Sequence, residues 1–214
     1  MKIKSVFVVL LALGMNFMYA QSTGSGQLYE KPTNGDLQGT VYSNTTFSAL
    51  KVNGEEHKAK VRYNALEDKM EFNDNLFYAF QPGDELNFTD IRKKYVLADY
   101  KDAKGNSFNG YLVEVQSGKK VKLYKKEKII FVKGNVSKTG YDKTIPDKYV
   151  KQKDEFFLKI DEGEIAGFPS SKKNFSKLFG DKEKEVADYL KKNNYSLSTE
   201  NDLKIVVNFL NTTL

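Results

Sequence analysis

Residues 56–72 read EHKAKVRYNALEDKMEF, and their alternation decides the fold class. In the first arm Ala59, Val61 and Tyr63 fall on one side and Lys58, Lys60 and Arg62 on the other. In the second arm Met70 and Phe72 share a face, with Glu71 opposite. A period of two marks a half-buried antiparallel strand, because successive side chains leave a pleated backbone on opposite sides. The stretch therefore predicts a β-hairpin that turns at Ala65-Leu66-Glu67-Asp68. The strands that follow are expected to continue the same sheet.

Working outward, residues 39–42 and 47–52 read as short strands ahead of the hairpin. Asn53-Gly54 is the strongest two-residue turn signal, since a type I′ turn needs positive φ at both central positions. After the hairpin, the apolar run 76–80 ends at Pro82-Gly83-Asp84, and 86–88 is a short strand. Residues 94–100 and 110–116 flank the polar loop KDAKGNSFN, and Ser117-Gly118-Lys119-Lys120 turns the chain into 121–124 and 128–132. A polar connector, 134–154, leads to the strand EFFLKI at 155–160 and a return at 165–168. Turns about every 8 to 12 residues between alternating arms describe an antiparallel all-β module.

The spacing then changes to that of helices. Ser170 or Ser171 after Pro169 is placed to cap a short helix carrying Phe175, Leu178 and Phe179, and Gly180 stops it. Asp181 is expected to cap a second helix with Val186, Tyr189 and Leu190 on one face. A third helix starts at Ser198 or Thr199, where Thr199 with Asp202 three residues on resembles a capping box. Its Leu203, Val206, Val207 and Leu210 form a stripe that Ile205 and Phe209 widen, so the helix is expected to be gripped on two sides. The fold class is mainly β, α+β overall: an antiparallel meander curled into a half-barrel or sandwich, with two or three C-terminal helices packed on it.

Length and composition set the boundaries. The chain has 214 residues, and Met1–Ala20 has the form of a secretory signal peptide: Lys2 and Lys4, an apolar core at 6–13, and a small residue before Gln21. The expected parts are a signal peptide at 1–20, a flexible lead at 21–35, a β domain at 36–168 and a helical segment at 169–214. The apolar core is short for a membrane span of about 20 residues. There is no cysteine, hence no lipidation cysteine, disulfide or thiolate metal site. Net charge is +6, or +4 once Lys2 and Lys4 leave with the signal peptide. With 34 basic and 28 acidic residues the surface is mixed, and neither this nor any RNA-binding signature supports nucleic acid as a partner.

The order of parts resembles a family of uncharacterised secreted proteins common in Bacteroidetes. The residues that carry the resemblance are Val61-Arg62-Tyr63-Asn64 with Asp68-Lys69-Met70-Glu71-Phe72, Gly110-Tyr111, Leu123-Tyr124-Lys125-Lys126, and the tail LFGDKEKEVADYLKKNNYSLSTENDLKIVVNFLN. The Ala20-Gln21 junction suits the same bacteria. The resemblance covers most of the mature chain and implies export and this fold. Its motifs are structural, so it implies no active site.

Residues suited to chemistry are few. The only histidine, His57, reads as an exposed strand residue. Asp99–Asn106 places oxygen ligands near Gly105 as a calcium loop does, but lysines stand where acids would help. Asp161, Glu162 and Glu164 crowd one turn, and Glu67-Asp68 another, with no partner carboxylate across a cleft. No nucleophile elbow, phosphate loop or zinc-protease helix is present. Basic pairs occur at 119–120, 125–126, 172–173 and 191–192. Lys120, Lys122 and Lys126, if aligned, would contact an anion such as lipopolysaccharide phosphate or a partner. Lysines that guard a sheet edge against aggregation explain the same residues without a ligand, and this is the preferred reading.

The sequence thus points to an exported, non-enzymatic protein of the periplasm or outer envelope, without cofactor, that binds an envelope protein or plays a structural role. The alternative is a periplasmic carrier of a small apolar ligand inside a curled sheet. An envelope hydrolase ranks third.

Overall fold

A computed structural model describes residues 37–73, 76–135 and 145–214. The expected signal peptide, the lead and the middle of the polar connector lie outside the described residues. The described strands are β1 Leu50–Val52, β2 Glu55–Glu56, β3 Arg62–Asn64, β4 Lys69–Asn73, β5 Leu76–Tyr78, β6 Glu85–Phe88, β7 Lys93–Lys101, β8 Ser107–Gln116, β9 Val121–Lys126, β10 Ile129–Val132, β11 Lys148–Lys151, β12 Glu155–Ile160 and β13 Ile165–Gly167. The helices are α1 Lys172–Ser176, α2 Glu183–Lys192 and α3 Glu200–Thr213, with a 3-10 segment Lys177–Lys182 joining the first two.

The main sheet runs β13-β12-β9-β8-β7-β6-β1-β2. It closes on itself where β13 pairs in parallel with the end of β7, Ile165 opposite Tyr100 and Ala166 opposite Lys101. Strands β7, β8, β9, β12 and β13 therefore form a five-stranded barrel. The other half of the same β7 edge carries β6, from Glu85 opposite Val96 to Phe88 opposite Lys93. Tyr100, Leu112, Tyr124, Phe157 and Ile165 fill the interior as one cluster. The Tyr100 and Phe157 rings meet edge to face at 4.9 Å. This resolves the half-barrel-or-sandwich expectation: the sheet curls and closes.

The residues between these inward positions point outward and need covers. Tyr95, Leu97, Tyr111 and Val113 pack against the three-stranded sheet β3-β4-β5. Val121, Leu123 and Leu158 pack against the helices. Covers on two sides of one twisted sheet account for the runs of aromatic and aliphatic residues in β7, β8 and β9, which alternation with water would not allow.

The hairpin at 56–72 differs from expectation in two ways. It makes its own sheet rather than continuing into the main one, because β4 spends both edges on β3 and β5. Isolated bridges, Ser48–Val61 and Tyr42–Asn64, and the bonds of Arg62 to Thr45 O and Tyr42 Oη tie this arm to the segment ahead of it. The alternation holds and Lys58 and Lys60 face water, yet Arg62 and Glu71 on the same expected side are covered. Glu71 is 1 % exposed. Its carboxylate accepts from Tyr42 Oη at 2.7 Å and from Arg62 Nη2 at 2.6 Å. The Arg62 guanidinium lies over the Tyr42 ring at 3.7 Å and the Phe47 ring at 4.2 Å. Residues 39–42, expected as a strand, contribute only bridge pairing.

Elsewhere Asn53 and Gly54 take φ of 51° and 90°, as a type I′ turn requires. The connector holds a strand missed in the sequence, β11, which pairs with β10 from Ile129–Lys151 to Val132–Lys148. Ser171 caps α1, its Oγ accepting from Asn174 N at 3.1 Å. The other two caps fail. The residue before α2 is Lys182, with no side-chain cap, and Thr199 makes no capping bond at α3. Asp202 instead accepts from Ser196 N at 2.8 Å, holding the loop that leads into the helix.

Candidate functional site: an uncharged helical face

The three lysines singled out in the sequence share one side of β9 by alternation, but they do not act together. Lys126 turns inward: its Nζ lies 2.5 Å from Asp68 Oδ2 and donates to the Tyr111 carbonyl at 2.9 Å. Burial pushes its ammonium below the usual lysine range, with Asp68 opposing. Lys120 lies 3.5 Å from Asp161, and Lys122 sits half-buried opposite Lys159. Strand β9 runs between β8 and β12, so these are not edge-guarding lysines.

The other candidates are occupied by local structure. His57 is half-buried rather than exposed, edge-on to the Tyr78 ring at 4.6 Å, with Nδ1 3.1 Å from the Ala59 carbonyl. Asp102 accepts from Lys104 N, Asn106 N and Asn106 Nδ2 at 2.8 to 2.9 Å, so its carboxylate is used within its own loop. These bonds, the Asn106 side chain first, hold it below the usual carboxylate range. Asp161, Glu162 and Glu164 reach three different lysines, Lys120, Lys159 and Lys101, and so diverge. Among the described residues no three histidine, cysteine or acidic side chains gather to hold a metal.

One buried acid escaped the sequence reading. Glu127 is 2 % exposed and receives Lys93 Nζ at 2.7 Å and Tyr95 Oη at 2.8 Å. Burial pushes its carboxyl up, but the Lys93 charge and these bonds outweigh it and hold the group below its ordinary value. Nearby, Lys125 reaches Glu200 at 2.8 Å and Asp154 at 3.5 Å, joining β9 to the start of α3.

The surface that stands out lies on α2 and α3. On α3, Leu203, Val206, Val207 and Leu210 are fully buried against the barrel. The opposite stripe is Asn201, Ile205, Asn208 and Thr212, at helical spacing, and all four are exposed. Of the two residues expected to widen the buried stripe, Phe209 is covered by Tyr189 of α2 while Ile205 is 42 % exposed. Beside this stripe the Tyr189 and Phe209 rings stack at 3.7 Å and 5°, with Tyr195 at 5.6 Å from Tyr189. With Glu185, Asp188, Lys191 and Lys192, Tyr189 and Phe209 line a shallow hollow of about 580 Å³.

The stripe is also free of charge. Residues 205–214 contain no charged side chain, in a chain that is 29 % charged. The charges at the head of α3 are engaged: Glu200 with Lys125 and Lys204, Asp202 with Ser196. The platform is fixed at its far end as well. Asn211 Oδ1 accepts from Lys120 N and Val121 N, and its Nδ2 donates to Val121 O and Val207 O, all at 2.8 to 3.0 Å. The charge-free run was visible in the sequence; that Ile205, Asn208 and Thr212 within it face outward was not.

No protein-family model matches the chain, no curated protein matches it, and no solved structure matches it. The α2–α3 face combines the Tyr189 and Phe209 rings, aliphatic carbon and amides with Glu185, Asp188, Lys191 and Lys192 along its rim.

Proposed function

We propose that the protein is exported to the cell envelope and acts without catalysis, binding a macromolecular partner through the face formed by α2 and α3. The observation that carries this reading is the uncharged stripe of α3, with Ile205 42 % exposed on a helix pinned at both ends to β9. An exposed aliphatic residue on a rigid element, flanked by stacked rings, gives area at low entropic cost. Export rests on the basic, apolar and small-residue order of Met1–Ala20. The carrier reading is second, because aromatic side chains already fill the barrel interior.

The test is a co-purification of wild type and an Ile205→Lys variant from gently solubilised cells, with melting temperature as the folding control. A stoichiometric partner retained by wild type and lost by the equally stable variant supports the reading. An identical set of co-purifying proteins in both overturns it. An apolar molecule recovered in organic extract, bound one to one, would favour the carrier instead.

A further inference from the structure

We infer that the occupant of the α2–α3 face is a second copy of this chain, docked about a two-fold axis with α3 against α3. The inference rests on the partner-binding reading and names the partner.

Charge selects the occupant. The chain carries +6, or +4 without Lys2 and Lys4, so two copies repel unless like charges are kept apart where they meet. Exposed lysines are spread over the β surface, at Lys58, Lys60, Lys119 and Lys128 among others. The stripe Asn201-Ile205-Asn208-Thr212 is an exposed face without them. Its amides donate and accept equally, so a like surface can satisfy them across a two-fold axis.

The rim is matched to itself. Along the hollow, acids stand at Glu185, which also pairs with Lys182 at 3.1 Å, and Asp188, and bases at Lys191 and Lys192. A two-fold axis crossing this face sets the basic end of one copy against the acidic part of the other, twice over. The same rim opposes a uniformly charged occupant. An anionic membrane or glycan would meet Glu185 and Asp188, and a basic protein would meet Lys191 and Lys192. Antiparallel α3 helices also align their dipoles favourably.

Sedimentation equilibrium of the purified protein from about 1 to about 100 µM tests this, since weak specific interfaces fall in that range. The expected result is a monomer–dimer equilibrium that Ile205→Lys or Asn208→Lys weakens at least tenfold, with circular dichroism unchanged. A second measurement uses the absence of cysteine in the chain. Asn208→Cys should form disulfide dimers under mild oxidation and Lys60→Cys should not. A monomer across the series, or a dimer indifferent to both substitutions, overturns the inference. A monomer that still retains a partner lost by Ile205→Lys overturns only the identity of the occupant. A monomer without such a partner overturns the binding reading too.

Discussion

The Lys126 ammonium and the Asp68 carboxylate, 2.5 Å apart, join the β3–β4 turn to the barrel. Asp68 also accepts from Tyr63 Oη at 2.7 Å and Tyr111 N at 3.2 Å. A side chain at Gly110 would overlap this carboxylate, which explains a glycine inside strand β8.

The two partners of that pair differ in how they tolerate loss of the other. Lys126 is 12 % exposed and Asp68 30 %. Asp68→Ala strands a buried ammonium and is expected to cost about 3 kcal/mol. Lys126→Met leaves Asp68 with two donors and access to water, so its cost should be smaller, about 1 kcal/mol. Urea unfolding of both variants checks the order; equal losses, or the reverse order, would refute this account. Gly110→Ala should destabilise in the same assay.

Glu127 yields an acid-limb prediction. Its folded carboxyl lies below the ordinary value of 4.5, so the unfolded chain takes up the proton first as pH falls. Stability from this group is present above the ordinary carboxylate range and is lost as pH drops through the folded value. Glu127→Gln should lower the melting temperature at pH 7, and the gap from wild type should narrow below about pH 4.5. A gap constant with pH would show that the Lys93 and Tyr95 partners do not act on a charged carboxylate.

Much of this fold was legible because period-two and period-3.6 patterns report local geometry. Val61, Tyr63 and Met70 are buried as the hairpin alternation requires, and Asn53-Gly54 turns as its φ preferences demand. What the pattern could not report is which polar face another segment covers. Glu71 and Arg62 look solvent-directed until Tyr42 and Phe47 close over them. Barrel closure through Ile165 and Tyr100 joins positions far apart in the chain, and no local signal encodes it. The same limit hid the binding face. Ile205 and Phe209 widen an apolar stripe, but only packing shows that the barrel takes Val206 and leaves Ile205 outside.

Helix α3 therefore separates stability from binding within adjacent positions. Leu210→Ala, at a fully buried site against β9, should cost about 2 to 5 kcal/mol. Ile205→Lys, at an exposed site, should stay within about 0.5 kcal/mol of wild type at a concentration where both are monomeric. Thermal unfolding read by circular dichroism measures both. A large loss for Ile205→Lys would mean the side chain is covered in the protein as it exists in solution, at the concentration used.

The tyrosines make an opposite prediction at high pH. Burial, with the Glu71 carboxylate beside it, pushes the Tyr42 phenol up to about 12. Burial also pushes Tyr111 and Tyr124 up to about 12, assisted by Asp68 and by Glu114. Tyr63, Tyr95 and Tyr100 are raised by burial first and by Asp68 or Glu127 next. The folded chain therefore keeps phenolic protons that the unfolded chain releases near pH 10, so stability falls as pH rises past that value. Ultraviolet titration should show part of the phenolate signal near pH 10 and the rest in one step with unfolding. Tyr42→Phe should remove one phenol from that late step. A single transition near pH 10 for every tyrosine, with the fold intact, would be incompatible with the burial of Tyr63, Tyr95 and Tyr111 under the three-stranded sheet and of Tyr100 and Tyr124 in the barrel.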